Sequence, residues 1–363
     1  MPPNPMRRDI VVVGASAGGV QALTEFVGAL PADLPAAIFV VLHTSSASRS
    51  RLPLILNRAS ALPVRQATHN ERIVPGRIYV AKPDRHLLLR RGAVSVVMGP
   101  KENGFRPAVD PLFRSAAVAW GPRCIGVVLS GNLYDGVAGL GAIKMRGGIA
   151  LAQDPKEALY GGMPQHAAEE LQLDLVAPTV ELAREVARIV GEPLDIEADP
   201  STTVEEMVEE TQEVAEAAPE PAFLETDRRP GVPSGFGCPS CGGALFRLTD
   251  GDVLHYRCRV GHAWSAQALL EEQSDALESA LWAALRVLEE SAALSTTIGE
   301  RLRGRGSVEA ANRFFAQADE HRRRAQVIRT ALRATRVSDP GAAESGVKSE
   351  PLIRRNAKPY VEP

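Results

Sequence analysis

The stretch DIVVVGASAGGVQAL, residues 9–23, runs a block of β-branched residues, Ile10 to Val13, straight into a glycine-rich turn around Ser16 and then into helix-compatible sequence. An apolar run without alternation reads as a strand covered on both faces, and a strand that feeds a glycine turn and a helix opens a parallel α/β unit. The unit repeats along the chain. AIFVVLH (37–43), a helix near 51–58, RIYVA (77–81), a helix after Asp110, CIGVVLSG (124–131), a helix after Gly136, IALAQ (149–153), LDLVA (173–177) and a helix from Thr179 follow in order. Residues 8–190 are therefore expected to form one α/β domain with a doubly wound, mainly parallel, Rossmann-like sheet. HLLLRRGAVSVVM (86–98), two strand-like runs around Gly92, predicts an antiparallel hairpin at one sheet edge.

The composition limits the remaining possibilities. The chain has 363 residues, 45% of them apolar, enough for two or three modules with a core in at least one. A net charge of -3 argues against nucleic acid as a partner, and the short N-terminal apolar run is neither a secretory h-region nor a membrane span, so a cytoplasmic location without membrane insertion is expected. Residues 191–227 carry thirteen acidic side chains and no Lys or Arg, which marks 191–235 as a linker. Within it, a capping box and the face Val204, Met207, Val208, Thr211 and Ala215 predict an acidic amphipathic helix. Residues 266–335 read as a helical hairpin, with Leu270, Leu277, Leu281 and Leu288 facing Ala311, Phe315, Ala318, Ala325, Ile328 and Leu332. Residues 336–363 show no period and are expected to be disordered.

The turn GASAG fits the G-x-S-x-G pattern, in which a serine hydroxyl is exposed on a sharp strand-to-helix turn beside free backbone N–H groups. A glycine turn of this kind can equally cradle a phosphate. That alternative lacks the G-x-G-x-x-G spacing and any G-K-[ST], so a nucleophilic Ser16 is the better reading. His43 closes the second strand and Asp135 follows the strand beginning at Cys124. Taken singly, a strand-end histidine can simply pack and a loop aspartate can simply cap a helix. Jointly, the three lie at the carboxyl ends of separate parallel strands, where side chains converge in such folds.

The blocks VVVGASAGGVQAL, FVVLHTSSASRSRLPLIL, ERIVPGRIYVAKPDRHLLL, FRPAVDPLFRSAA, GVVLSGNLYDGVAGLGAIKMRGGIALAQD and YGGMPQHA, in this order, resemble the catalytic domain of the chemotaxis protein-glutamate methylesterases of CheB type. The resemblance implies Ser16 as nucleophile, His43 as base and Asp135 as its orienting partner. It also implies hydrolysis of glutamate γ-methyl esters on methylated chemoreceptor cytoplasmic domains, deamidation of glutamine at the same sites as in other members, and a place in phosphorelay chemosensory signalling with other signalling proteins as partners. No cofactor is implied for catalysis. The oxyanion hole is expected from N–H groups of Ala17 to Gly19. Two blocks depart from the family pattern: Asn132 and Leu133 stand where methionine and glycine are usual, and TSSAS follows the histidine where methionine-proline is usual. The chain also opens at the catalytic domain, so no receiver domain is expected upstream of it.

Residues 236–265 contain Cys238-x2-Cys241, sixteen intervening residues and Cys258-x3-His262. Two ligand pairs on tight turns suit a structural Zn²⁺ site with ligands Cys238, Cys241, Cys258 and His262, and His255 is a competing fourth ligand. Cys124, within an apolar strand, reads as core. Ten arginines and no lysine over 301–336 form either a solvated helix face or a surface that docks on the acidic linker. The rival to an enzyme is a CheB-like adaptor whose altered loop has lost hydrolysis and whose zinc and helical modules bind partners.

Overall fold

A computed structural model of the chain describes residues 7–44, 50–194, 231–250 and 253–337. The chain divides into two compact units, Met1–Glu272 and Gln273–Pro363. The acidic-linker helix expected over 201–215 and nearly all of the C-terminal tail lie outside the described residues.

The first unit is built on seven parallel strands in the order β3-β4-β2-β1-β7-β8-β9: β1 (Ile10–Ala15), β2 (Ala37–Leu42), β3 (Val64–Gln66), β4 (Arg77–Val80), β7 (Cys124–Val128), β8 (Ile149–Gln153) and β9 (Leu175–Ala177). Strand β3 adds to the sequence reading, because Arg65 and Gln66 are exposed polar residues and leave no apolar run to announce it. Strand β1 shows why the opening run had to be apolar throughout. Val11 and Val13 enter one core with Leu23, Phe26 and Leu182, while Ile10 and Val12 enter the other with Phe113, Leu140 and Ile143. Each such side chain contributes about 1.5–3 kcal/mol when fully buried, so neither face of β1 tolerates a polar residue cheaply.

Helices α1 (Gly19–Gly28), α2 (Leu52–Ala59) and α6 (Thr179–Ile189) cover the first face, and α3 (Val109–Trp120), α4 (Val137–Met145) and α5 (Gly162–Glu170) the second. The hairpin of β5 (His86–Arg90) and β6 (Ala93–Val97) forms as expected, but as a separate antiparallel pair and not on the edge of the main sheet. The apolar side chains Leu87, Leu89 and Val94 explain the difference: they pack into the second core with α3, which draws the hairpin over the face of the sheet. Strand order reverses at β1, so the carboxyl ends of β2, β1 and β7 lie side by side at a topological switch point.

Within the same unit, β10 (Val232–Gly237), β11 (Ala244–Asp250), β12 (Val253–Cys258) and β13 (Ala263–Ser265) form an antiparallel ribbon. Its small core joins Cys238, Leu245, Tyr256, Cys258 and Trp264 to Ala268 and Leu269 at the start of α7 (Ala266–Gly304).

In the second unit α7 continues and is followed by α8 (Val308–Val337). Leu285, Ala325 and Leu332 form the buried seam with Leu281, Leu288 and Ile328. Leu270 and Leu277, expected in that seam, are exposed at 65% and 55%. Within the arginine run, Arg322 pairs with Asp319 and both Arg323 and Arg324 with Glu320 on the same helix, and Arg322 also donates to Thr296 Oγ1 of α7 at 2.9 Å. Among the described residues, no helix is long and apolar enough to cross a membrane.

Candidate active site and candidate metal centre

The glycine turn after β1 is held closed by its neighbours. Ser16 N–H donates to Ser130 O at 2.9 Å, and Gly19 N–H donates to Ser16 O at 2.9 Å. Gly18 has φ +70 and leaves no room for a side chain, since an added Cβ would lie 2.6 Å from Ser130 Oγ. A glycine there lets the chain reverse into α1 without the left-handed penalty of about 1–2 kcal/mol that other residues carry. Because the Gly19 N–H is already used, the expected oxyanion donors narrow to Ala17 and Gly18. Neither N–H has a backbone acceptor among the described residues.

His43 leaves the end of β2 with its N–H on Ala15 O at 3.1 Å, which sets its ring beside the serine. Ser16 Oγ lies 3.1 Å from His43 Nδ1, and His43 Nε2 lies 2.6 Å from Asp135 Oδ2. The ring is sandwiched against Phe105 at a centroid distance of 3.7 Å, nearly parallel. With Nε2–H donated to Asp135, the Nδ1 lone pair faces the serine hydroxyl, the tautomer a general base needs.

Asp135 is fully buried and receives four donors. Oδ2 accepts His43 Nε2–H and, at 2.6 Å, Val109 N–H. Oδ1 accepts Asn103 Nδ2–H at 3.1 Å and Asp110 N–H at 3.2 Å. Burial alone would push its carboxyl up, but the His43 hydrogen bond and charge, with the Val109 and Asp110 N–H groups, outweigh it and hold the pKa at about 2. The second carboxyl goes the other way. Burial and the Asp135 charge push Asp110 well up, against the pull of Arg114 and the Gly139 N–H. Asp110 meanwhile accepts the N–H groups of Gly136 and Gly139 at the start of α4 and the Asn103 amide.

The structure therefore brings Ser16, His43 and Asp135 into one hydrogen-bonded relay. It also adds three residues that the sequence reading did not single out: Asn103, Phe105 and Asp110. A sequence signal existed for the turn alone. In ENGF (102–105), Asn103 and Gly104 have φ 48 and 81, and Glu102 and Phe105 exchange backbone hydrogen bonds of 3.1 and 2.8 Å, as in a two-residue hairpin turn. Glu102 is fixed by a buried pair in which Arg114 donates to both carboxylate oxygens at 2.7 Å. Leu133, where the family resemblance expects glycine, keeps the left-handed conformation at φ 70, and its carbonyl accepts His166 Nδ1–H at 2.9 Å. Cys124 is buried in β7, and burial pushes its thiol far above the usual range, as expected of a core residue.

In the ribbon, the ligand atoms of Cys238, Cys241, Cys258 and His262 all lie within 4.8 Å of one another. Tight turns present them: Gly242 N–H donates to Cys238 O at 2.7 Å, and Cys258 N–H donates to His262 O at 3.0 Å. The separations of 3.6 Å between Cys241 and Cys258 Sγ and 3.5 Å from Cys258 Sγ to His262 Nδ1 match the roughly 3.7 Å edges of a tetrahedron with Zn–S bonds of about 2.3 Å. Burial and the neighbouring Cys238 push the Cys258 thiol up to about 12, and a bound cation would act in the opposite direction by favouring its thiolate. His255, the competing ligand, lies outside this cluster, paired on β12 opposite Ser265.

Residues 11–186 match the family model described as CheB methylesterase. The chain is 41% identical over 183 residues to protein-glutamate methylesterase/protein-glutamine glutaminase 2 of Anaeromyxobacter dehalogenans, covering 50% of this chain and 54% of that protein. It is 40% identical over 179 residues to the enzyme numbered 1 of Geobacter metallireducens, covering 48% and 49%. The chain thus spans about half the length of these curated relatives. The crystal structure of the Thermotoga maritima CheB methylesterase catalytic domain aligns with a TM-score of 0.49 at 33% identity, over 51% of this chain and 100% of that one.

Proposed function

The chain belongs to the CheB methylesterase family through residues 11–186, and from that premise we propose that it is a protein-glutamate methylesterase acting on methylated chemoreceptor cytoplasmic domains. The observation that carries the proposal is the unbroken relay from Ser16 Oγ through His43 to the buried, ionised Asp135. Ser16 attacks the γ-carbonyl carbon of a methyl-glutamate while His43 Nδ1 takes its proton. The Ala17 and Gly18 N–H groups support the oxyanion, and methanol leaves with the proton returned by His43. Water deprotonated by the same nitrogen then attacks the acyl-serine, releasing glutamate and restoring the Ser16 hydroxyl. A glutamine amide fits the same geometry, with ammonia as leaving group, which supports deamidation as a second activity of the site.

The Cys238, Cys241, Cys258 and His262 cluster is proposed to hold a structural zinc ion, since all four positions are filled by protein groups. Chemosensory phosphorelay signalling in the cytoplasm is the proposed setting, with the helical hairpin available for partner proteins. The test is methanol release from methylated chemoreceptor fragments by wild type and Ser16→Ala. Release by wild type and at least a thousandfold less by the variant is expected. No release by wild type, or undiminished release by the variant, overturns the proposal.

A further inference from the structure

The turn that carries Asn103 and Phe105 onto the relay is gripped on its other side by the ribbon. Asn103 N–H donates to Ala263 O at 2.9 Å, and Ala263 N–H donates to Lys101 O at 3.3 Å, so β13 pairs with the turn as if with another strand. Ser265 N–H donates to Asn103 Oδ1 at 2.9 Å. A Cβ added at Gly261 would sit 2.7 Å from Pro100 Cγ, so the backbone between the two ligands Cys258 and His262 lies directly against the base of the same loop.

These bonds orient the Asn103 amide. Its Nδ2 faces two carboxylate oxygens, Asp135 Oδ1 and Asp110 Oδ2, each at 3.1 Å. The flipped amide would turn a carbonyl oxygen on the Asp135 carboxylate and leave the Ser265 N–H facing an NH₂ group. Ser265 fixes the acceptor end, so the donor end is fixed on Asp135. Strand β13 has only three residues, and its start adjoins His262. A module this small depends on its metal for much of its folding free energy.

We propose that the Cys3His ribbon is a clamp on the active site: metal between Cys238, Cys241, Cys258 and His262 fixes β13, β13 fixes the Asn103 amide, and Asn103 is a positioning residue that holds the Asp135 carboxylate in line with His43. The proposal rests on the reading of Ser16, His43 and Asp135 as the reacting relay, and its consequence is that zinc occupancy sets turnover without touching substrate.

The test uses the full chain, loaded with one zinc ion, stripped by a chelator and reloaded. Two readouts are taken: kcat and KM for methanol release from methylated chemoreceptor fragments, and the downfield proton resonance of His43 Nε2–H, which reports the bond to Asp135 directly. Zinc removal should lower kcat by about tenfold or more with KM changed less than about twofold, and should broaden the resonance. Reloading restores both. Asn103→Ala should show the same loss in its zinc-loaded form and no further loss on stripping, because interacting elements are not additive. Ser265→Pro removes the donor to the Asn103 amide and should reproduce the loss with zinc still bound, which decides the matter even if the stripped chain unfolds.

The proposal is overturned if the chain binds no zinc, if stripping leaves kcat and the resonance unchanged, or if the full zinc effect persists in Asn103→Ala. Absence of methanol release by the zinc-loaded wild type would count against the enzymatic reading instead, and the resonance would still decide the clamp.

Discussion

Replacing Asp135 with asparagine keeps shape and volume and removes only the ability to accept on both oxygens. Four donors converge on this side chain, from His43, Val109, Asn103 and Asp110. An asparagine meets that demand in neither orientation. With its oxygen on His43 and Val109, its NH₂ opposes the Asn103 amide and the Asp110 N–H. Reversed, its NH₂ opposes the Val109 N–H and forces His43 to accept at Nε2, which puts a proton on Nδ1 and removes the base from Ser16. The corresponding change in a serine triad costs about 10⁴ in kcat, ~5.4 kcal/mol of barrier, and a loss of that order is expected here.

Stability supplies an independent magnitude. A carboxyl at about 2, against an ordinary 3.8, corresponds to roughly 2 kcal/mol favouring the ionised, folded form. The folded value is the lower one, so this contribution is complete above about pH 5 and is lost progressively as pH falls through 3.8 and past 2. Urea unfolding of wild type and Asp135→Asn should therefore differ by at least about 2 kcal/mol at pH 7 and converge towards pH 2. Methanol release by the folded variant within tenfold of wild type, or a stability difference that does not change with pH, would refute the argument.

Two further outcomes follow from buried groups outside the relay. Arg114→Met leaves the Glu102 carboxylate buried without its bidentate partner and should destabilise by about 3–5 kcal/mol in urea, whereas Glu102→Gln combined with Arg114→Met should cost less than the two single changes summed. Thiol labelling of the metal-free folded chain should modify the exposed Cys241 first and Cys124 only on unfolding, with added zinc protecting Cys241; prompt labelling of Cys124 would contradict its buried, raised-pKa environment.

Expectations from the sequence held where the determining pattern is local. Strand β1 is readable because burial on both faces requires Ile10–Val13 to be apolar without a break, and the Cys238–Cys241 and Cys258–His262 pairs because each ligand pair sits on its own tight turn. Periodicity misplaced Leu270 and Leu277, both exposed, since the spacing marks a helix face without stating how deeply that face is buried. The β5–β6 hairpin was recognisable as a pair, but its place over the second core depends on α3, which no local pattern states.

By itself the sequence determined a parallel α/β sheet with Ser16, His43 and Asp135 at strand ends, followed along the chain by a Cys3His ligand set. Only the tertiary structure decided that Asn103, 32 residues from Asp135 and 162 from Ser265, joins the two. Alternation, capping and ligand spacing are written within about one element's length, whereas a contact between distant segments exists only once strand order and both packed faces are set. An Asn-Gly pair announces a turn on sequence grounds, and the fold alone places that turn between the relay and the ribbon.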